Sequence, residues 1–459
     1  MKAAILFFTF WTLALGAVFA ATKSGTVTGA QADIQAAINA AGNGATVIVP
    51  TGRWTWTDTL TVKAPVTLQG ESGTVIVNGR NQGPLIVVTP STAGLITIKG
   101  LTIEQGNTTP DWSVKHLVVY HKDGAQPVVV SSCHFAMASH GARMIEWQTN
   151  SGVISGCTFT SPNQADTSGI AFKAVGIPGT WTAASSIGLA GDPEGNKNTY
   201  LEDCTFKDVF LQALDFDDNS RTVVRHCTFD NSGTTSHGAD TSPYGVRQIE
   251  FYDNQFIFNL GGNCNPNPYP LNLNYWFYVR GGIGVITDNT FPAISSCAWG
   301  NKPSISLTVY NITRKGGQVP CQTRYPAFHQ LGQGPEGTTD PLYIWGNTGT
   351  GATNIGLVQY NPDECNNNQQ ISNYLKEGRD YVLAARPNYQ KYTYPHPLAA
   401  GGQPPRPTPA PSPTAQPSPT PPEPTPAPTA TPPASSGGYS QWLDELARWI
   451  EAHPAHPNK

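Results

Sequence analysis

Val129-Val-Ser-Ser-Cys-His-Phe135, Val153-Ile-Ser-Gly-Cys-Thr-Phe159, Tyr200-Leu-Glu-Asp-Cys-Thr-Phe206 and Val223-Val-Arg-His-Cys-Thr-Phe229 are one phrase written four times. It returns in altered form as Glu250-Phe-Tyr-Asp-Asn-Gln-Phe256 and Gly284-Val-Ile-Thr-Asp-Asn-Thr-Phe291, and is visible earlier as Thr97-Ile-Lys-Gly-Leu-Thr-Ile103. Successive closing residues lie 32, 24, 47, 23, 27 and 35 apart. Periods in this range mark stacked units, each burying its apolar face only against its neighbours. The intervals near 24 read as single turns, the longer ones as turns carrying loop insertions. The pieces between are short, β-branched and punctuated by Gly, Asn and Pro, as in Thr46-Val-Ile-Val49 and Leu85-Ile-Val-Val88. Nothing in the repeat region is long and periodic enough for a helical crossover. About three short strands per turn without helices gives an all-β, right-handed parallel β-helix with coils about 4.8 Å apart.

Two positions before each closing Phe stand Cys133, Cys157, Cys204 and Cys227, then Asn254 and Asn289. In stacked coils these residues form an inward ladder: thiols pack as small apolar groups, and Asn side chains hydrogen-bond along the stack. A zinc site is the rival reading, but an interior column lacks converging ligands. Cys264, Cys297, Cys321 and Cys365 fall in loop-like segments, where two disulfides are expected, with three pairings open. Ahead of the repeats, Ile34, Ala37, Ile38 and Ala41 share one helical face, and Gly42 is expected to end that helix. It reads as a cap across the first coil, whose open strand edges need cover.

The composition narrows the classes of function. Of 459 residues only 13% are charged, Lys and Arg number 27 against 31 Asp and Glu, and Gly and Pro total 46 and 40. This excludes a nucleic-acid binder carried by a basic surface and a coiled coil. Residues 1–20 carry Lys2, an apolar run and Val18-Phe-Ala20, the pattern of a cleaved export signal, so a secreted or cell-surface protein is expected. Residues 21–401 would be the β-helix domain and 402–438 a Pro/Thr/Ser-rich linker too poor in large apolar residues to fold. Residues 439–459 would be a short helix with Trp442, Leu443, Leu446, Trp449 and Ile450 on one face. That helix would either pack back on the domain or dock onto the cell envelope or a protein partner.

The stretch Ala32-Asp-Ile-Gln-Ala-Ala-Ile-Asn-Ala-Ala-Gly-Asn-Gly-Ala-Thr-Val-Ile-Val-Pro50, with the Leu68-Gln-Gly-Glu71 turn after it, resembles the opening of secreted β-helix proteins of the pectin-lyase-like superfamily. The resemblance runs from about Ala32 to Pro397. It implies the fold, while the architecture hosts lyases, hydrolases, esterases and non-enzymatic adhesins alike. Polygalacturonases of this fold carry Asn-Thr-Asp, Asp-Asp, Gly-His-Gly and Arg-Ile-Lys. Here only an Asp-Asp is found, and the His-Gly pairs at His140 and His237 lack the preceding Gly. The paired-arginine motif of calcium-type pectate lyases is not found either.

Members of this architecture that act on polysaccharides use a lateral groove, so carboxylates and cations at matching depth in the coil are the candidates. Asp215 and Asp217 alternate and share a strand face, with Asp218 at its end. Counted back from the closing Phe, Asp218 and Arg280 both stand at −11 and Arg247 at −9. These five are the candidate catalytic residues; Glu146, Trp147 and Lys173, from two preceding coils, are candidate substrate-binding residues. A uronate lyase must neutralise a carboxylate, by Arg247 with Arg280 or by a calcium ion held by Asp217 and Asp218, and then abstract the C5 proton, by Lys173 or an Arg. A hydrolase needs two carboxylates bracketing the bond, from Asp215, Asp217 and Glu146. Trp54, Trp56, Trp112, Trp147, Trp181, Trp276, Trp299 and Trp345, with Tyr310 and Tyr343, offer rings on which sugars stack. The expected function is a lyase or hydrolase of an acidic polysaccharide; the alternative is a non-catalytic adhesin or rod on a proline stalk.

Overall fold

The computed structural model describes residues 28–399 without 107–112, 122–125, 138–142, 162–167, 175–180, 182–184, 190, 210–211, 240–243, 260–274, 294–302, 310–324, 335–337 and 359–369. The chain divides into two units, Met1–Arg406 and Pro407–Lys459. The second lies outside the described residues, as do the export segment, the Pro-rich linker, the terminal helix, Trp112, Trp299, Tyr310 and the expected disulfide cysteines 264, 297, 321 and 365.

The first unit is a right-handed parallel β-helix. Among the described residues its strands form three parallel sheets of eleven, eight and ten strands, named A, B and C in the order the chain visits them. Every Phe-ended phrase is one rung of the coil: Phe135 pairs with Phe159, Phe159 with Phe206, Phe206 with Phe229 and Phe229 with Phe256 in sheet B. The interval of 47 is therefore a single rung, its extra length taken up between the strands Ser168–Lys173 and Thr199–Glu202.

Register converts sequence repetition into vertical columns. The closing rings stack inside the coil, with centroids 4.6 Å apart and planes 6° from parallel for Phe159 over Phe206, and 5.2 Å and 5° for Phe206 over Phe229. Two positions back, the thiols of Cys133, Cys157, Cys204 and Cys227 are buried and unoxidised. Each donates to the carbonyl two residues before it, at 3.3–3.4 Å. Below them the amides take over: Asn254 Oδ1 accepts from Cys227 N, Asn254 Nδ2 donates to Asn289 Oδ1, and Asn289 Nδ2 to Asn347 Oδ1. Asn347 extends the ladder one rung past the last Phe.

One position earlier again lies the corner between sheets A and B. Gly100, Ser132, Gly156, Asp203, His226, Asp253, Asp288 and Gly346 all hold positive φ, between 51° and 66°. A left-handed residue turns the chain sharply without costing the ladder a hydrogen bond, and Gly, Asp and Asn reach it most cheaply.

The cap helix spans Gln31–Ala40 with Ile34 and Ile38 buried against the first coil. Ala41, in extended conformation, ends it in place of the expected Gly42. At the other end the chain turns back, and residues 386–399 lie across the outer face of sheet A. There Tyr389, Tyr392 and Leu398 build a second apolar cluster with Val153, Tyr200, Val223, Tyr252 and Val285. This strap seals polar groups beneath it. Arg225 and Glu202, both wholly buried, meet at 2.8 Å, and the strap adds the Tyr392 carbonyl to Arg225 and the His396 N–H to Glu202. Glu250 accepts from Gly188 N, Gln248 Nε2 and the Tyr389 hydroxyl.

Phe206→Ala should remove the ring at the centre of the stack and cost about 3–5 kcal/mol. Urea denaturation checks this as a lower midpoint with unchanged slope. A second prediction concerns Glu250, whose burial outweighs its donors and raises its pKa from the ordinary 4.5 to about 7. The folded protein then holds a proton that the unfolded chain releases, so stability should fall as pH rises from about 4.5 to about 7, by at most ~1.4 kcal/mol per pH unit. Glu250→Gln should flatten that limb in melting temperatures recorded across the range.

Candidate active site

The charged residues gather on the outer face of sheet C, which the chain builds from Lys115–Tyr120, Arg143–Gln148, Ser168–Lys173, Gln212–Asp217, Thr234–Ser236 and Phe277–Val279 in neighbouring rungs. Leu117, Ile145, Ile170 and Leu214 align in register and point into the core, as do Val119, Trp147, Phe172 and Phe216. The residues between them face outward. Val118, Glu146, Ala171, Asp215, Thr235 and Tyr278 form one column; Lys173 and Asp217 pair in the next.

Asp217 Oδ2 lies 3.0 Å from Lys173 Nζ, and Asp218 Oδ2 lies 3.8 Å from the same nitrogen. Burial works against the Lys173 charge, but Asp217 and Asp215 outweigh it and push the pKa well above the usual lysine range. Lys173 is thus a fixed cation, which corrects its assignment as a base. The same ammonium lies against both carboxylates that were expected to hold calcium. Among the described residues no group of three or more His, Cys, Asp or Glu side chains converges as a metal site.

Asp215 is the hub. Its Oδ2 lies 3.4 Å from Arg143 Nη2, and its Oδ1 lies 2.9 Å from His237 Nε2. The second contact is one of distance more than of alignment, since that oxygen accepts no well-angled hydrogen bond. Burial alone would raise the Asp215 pKa; His237, Arg143 and Lys173 overcome it and hold the carboxyl well below the usual carboxylate range. Arg280 Nη2 lies 2.9 Å from His237 Nδ1 and 2.6 Å from Nε2, while Arg280 Nε donates to the Ser236 carbonyl. One rung from Lys173, Arg143 Nη1 lies 3.6 Å from Glu146 Oε2. Burial opposes ionisation of Glu146 too, but Lys115, Arg143 and the Gln148 amide lower its pKa.

Of the residues expected from sequence, Asp215, Asp217, Asp218, Arg280, Glu146 and Lys173 come together on this face. Two do not. Trp147 is wholly buried, its indole N–H donating to the Ser151 carbonyl: strand alternation turns it into the core, so it is no sugar platform. Arg247 is buried at the corner between sheets C and A, with its guanidinium over Trp181. Trp56 and Trp276 are likewise core rings.

His237 and Arg143 were missed, and corner length explains the first. Three residues separate sheet C from sheet A at 218–220 and at 280–282, but eleven do so at 237–247. Counting back from Phe256 therefore stops on Arg247, whereas the residue that follows the sheet C strand is His237. The Asp-Asp at 217–218, the His-Gly at 237–238 and the Arg-Gly at 280–281 thus succeed one another in three adjacent rungs.

No curated protein matches the chain in sequence. Among solved structures, the chain is similar to the tailspike protein of E. coli bacteriophage HK620 in complex with a pentasaccharide, at 13% identity and a TM-score of 0.44, over 71% of this chain and 55% of the tailspike. The chain thus spans little more than half of that protein. It is similar to an alginate lyase from Paenibacillus, at 14% identity and a TM-score of 0.34, over 71% of this chain and 95% of the lyase. It is similar also to the A-module of a mannuronan C-5 epimerase from Azotobacter vinelandii, at 15% identity and a TM-score of 0.33, over 73% and 90%. A family profile matches residues 20–256, just over half of the sequence. The chain belongs to that family, described as Rhamnogalacturonase A/epimerase, pectate lyase-like, a family of carbohydrate-active enzymes.

Proposed function

We propose that this chain is an exported enzyme that cleaves a uronate-containing polysaccharide by β-elimination on the outer face of sheet C. One observation carries the reading: Asp215, His237 and Arg280 follow one another in adjacent rungs, in contact, with Lys173 and its fixed charge beside them. Elimination needs a cation to take the charge that develops on the uronate carboxylate and a base for the C5 proton. Arg280 and Lys173 supply the cations. His237 supplies the base: its Nε2 lies 2.9 Å from Asp215 Oδ1, and both ring nitrogens lie within 2.9 Å of Arg280 Nη2 in the absence of substrate. A substrate carboxylate would draw Arg280 from the imidazole, leaving a ring nitrogen to take the proton. The C5–H electrons then form the C4–C5 double bond, the C4–O4 bond breaks, and the imidazolium returns its proton to O4. Loose contacts without substrate are ordinary for such sites and tighten in the reactive complex.

Hydrolysis is less well supported. It needs one carboxyl kept protonated as the acid. Asp215 and Glu146 are both pushed toward the ionised form. Export rests on the composition of residues 1–20. The proline-rich composition of residues 403–433 favours a second reading, a non-catalytic rod held on a stalk.

Incubation with polygalacturonate, alginate and related uronans, followed by ultraviolet absorbance of the unsaturated product, is the test; no absorbance change and no new reducing ends on any of them would reject the enzyme. If product forms, His237→Ala should lower kcat by about 10²–10⁴-fold with the circular dichroism spectrum unchanged. Lys173→Met should instead leave the buried Asp217 charge uncompensated. It is expected to cost about 3–5 kcal/mol of stability as well as activity, read from urea unfolding of the variant.

A further inference from the structure

Two and three rungs before Asp215, the charges are arranged in a way the proposed chemistry does not use. Lys115 and Arg143 stand directly opposite each other in register, in neighbouring strands of sheet C. Both reach for the same oxygen, Glu146 Oε2, at 3.5 and 3.6 Å. Those separations exceed the ~2.7–2.9 Å of a direct charge-assisted hydrogen bond. The other oxygen of Glu146 is taken by the Gln148 amide. Two cations thus share one carboxylate oxygen without closing on it. Asp215 adds only a 3.4 Å contact to Arg143, its second oxygen facing His237. The Arg143 side chain keeps 30% of its surface open to solvent.

We propose that Lys115 and Arg143 form an accessory subsite for a second carboxylate of the same polysaccharide chain, with Glu146 holding them apart until it binds. A planar carboxylate entering between them would meet Arg143 in the paired geometry that guanidinium favours and Lys115 as a point charge. The subsite lies three to four rungs from His237, roughly 14–19 Å at the spacing of paired strands, so its ligand is a uronate further along the polymer. The substrate class is therefore a polymer in which uronates recur, rather than one with isolated uronates among neutral sugars. This inference rests on the reading that sheet C binds a uronan.

The test is equilibrium binding by calorimetry to the full chain carrying His237→Ala. The probes are galacturonate and mannuronate pentamers and the same pentamers with their carboxyls reduced. At least one anionic pentamer should bind more tightly than its neutral counterpart. Lys115→Met should weaken that binding about tenfold, make it less sensitive to salt and leave the neutral pentamer unaffected; Lys115→Arg should restore it. Equal binding of anionic and neutral pentamers, binding of neither, or an unaltered Lys115→Met would overturn the subsite. The two proposals fail separately. A chain that binds the anionic pentamer through Lys115 but forms no unsaturated product keeps the subsite and loses the elimination. One that forms product but ignores Lys115→Met does the reverse.

Discussion

Parallel pairing in strict register governs this molecule. Because each strand hydrogen-bonds to the one a full coil away, a side chain's nearest neighbours are the residues at the same position one rung up and one rung down. Like must therefore tolerate like. Phe over Phe gains from offset stacking, thiol over thiol packs without demanding a partner, and amide over amide closes a chain of hydrogen bonds. A carboxylate over a carboxylate would gain nothing. Around Asp215 the outer face of sheet C alternates sign, Arg143 reaching Asp215 and Lys173 facing Asp217, whereas Lys115 and Arg143 set two cations in register.

That alternation gives the site its electrostatic character. Asp215 is nearly inaccessible to water, so its charge persists only because His237, Arg143 and Lys173 stand beside it. The same pairing fixes roles. A lysine pressed against Asp217 cannot serve as a base near neutral pH, and a carboxyl beside Arg143 and His237 cannot serve as an acid. On the proposed reading His237 is the proton carrier: its imidazole touches both the Asp215 carboxylate and the Arg280 guanidinium, and an entering substrate anion would displace only the second.

The columns explain what the chain discloses before it is folded. The Phe, Cys and Asn positions are legible because they lie at the corner between sheets A and B or in the sheet B strand just after it, where one left-handed residue turns the chain and the spacing in the Phe-ended phrases is constant. Asp215 and Asp217 were rightly assigned to one face because strand alternation is local. The corner between sheets C and A has no such constraint. It takes three residues at 218–220 and eleven at 237–247, so a count carried across it reaches Arg247 and passes over His237. Trp147 misleads for a different reason. An indole beside a carboxylate looks like a sugar site, but residues 146 and 147 must face opposite sides of the sheet, and only Glu146 can face out.

The strap answers a need the repeats create. Val153, Tyr200, Val223, Tyr252 and Val285 project from the outer face of sheet A, an apolar column with no place in the coil's own core. Left open it would be a hydrophobic strip on a stack of paired strands, a surface prone to association. Residues 386–399 cover it and at the same height supply the hydroxyl and backbone groups that Glu250, Glu202 and Arg225 need once water is gone. Sheet A is thus closed by its own chain while sheet C keeps its charged face outward. On the proposed reading that difference makes sheet C, which bears the ionic contacts of Asp215, His237 and Arg280, the working face.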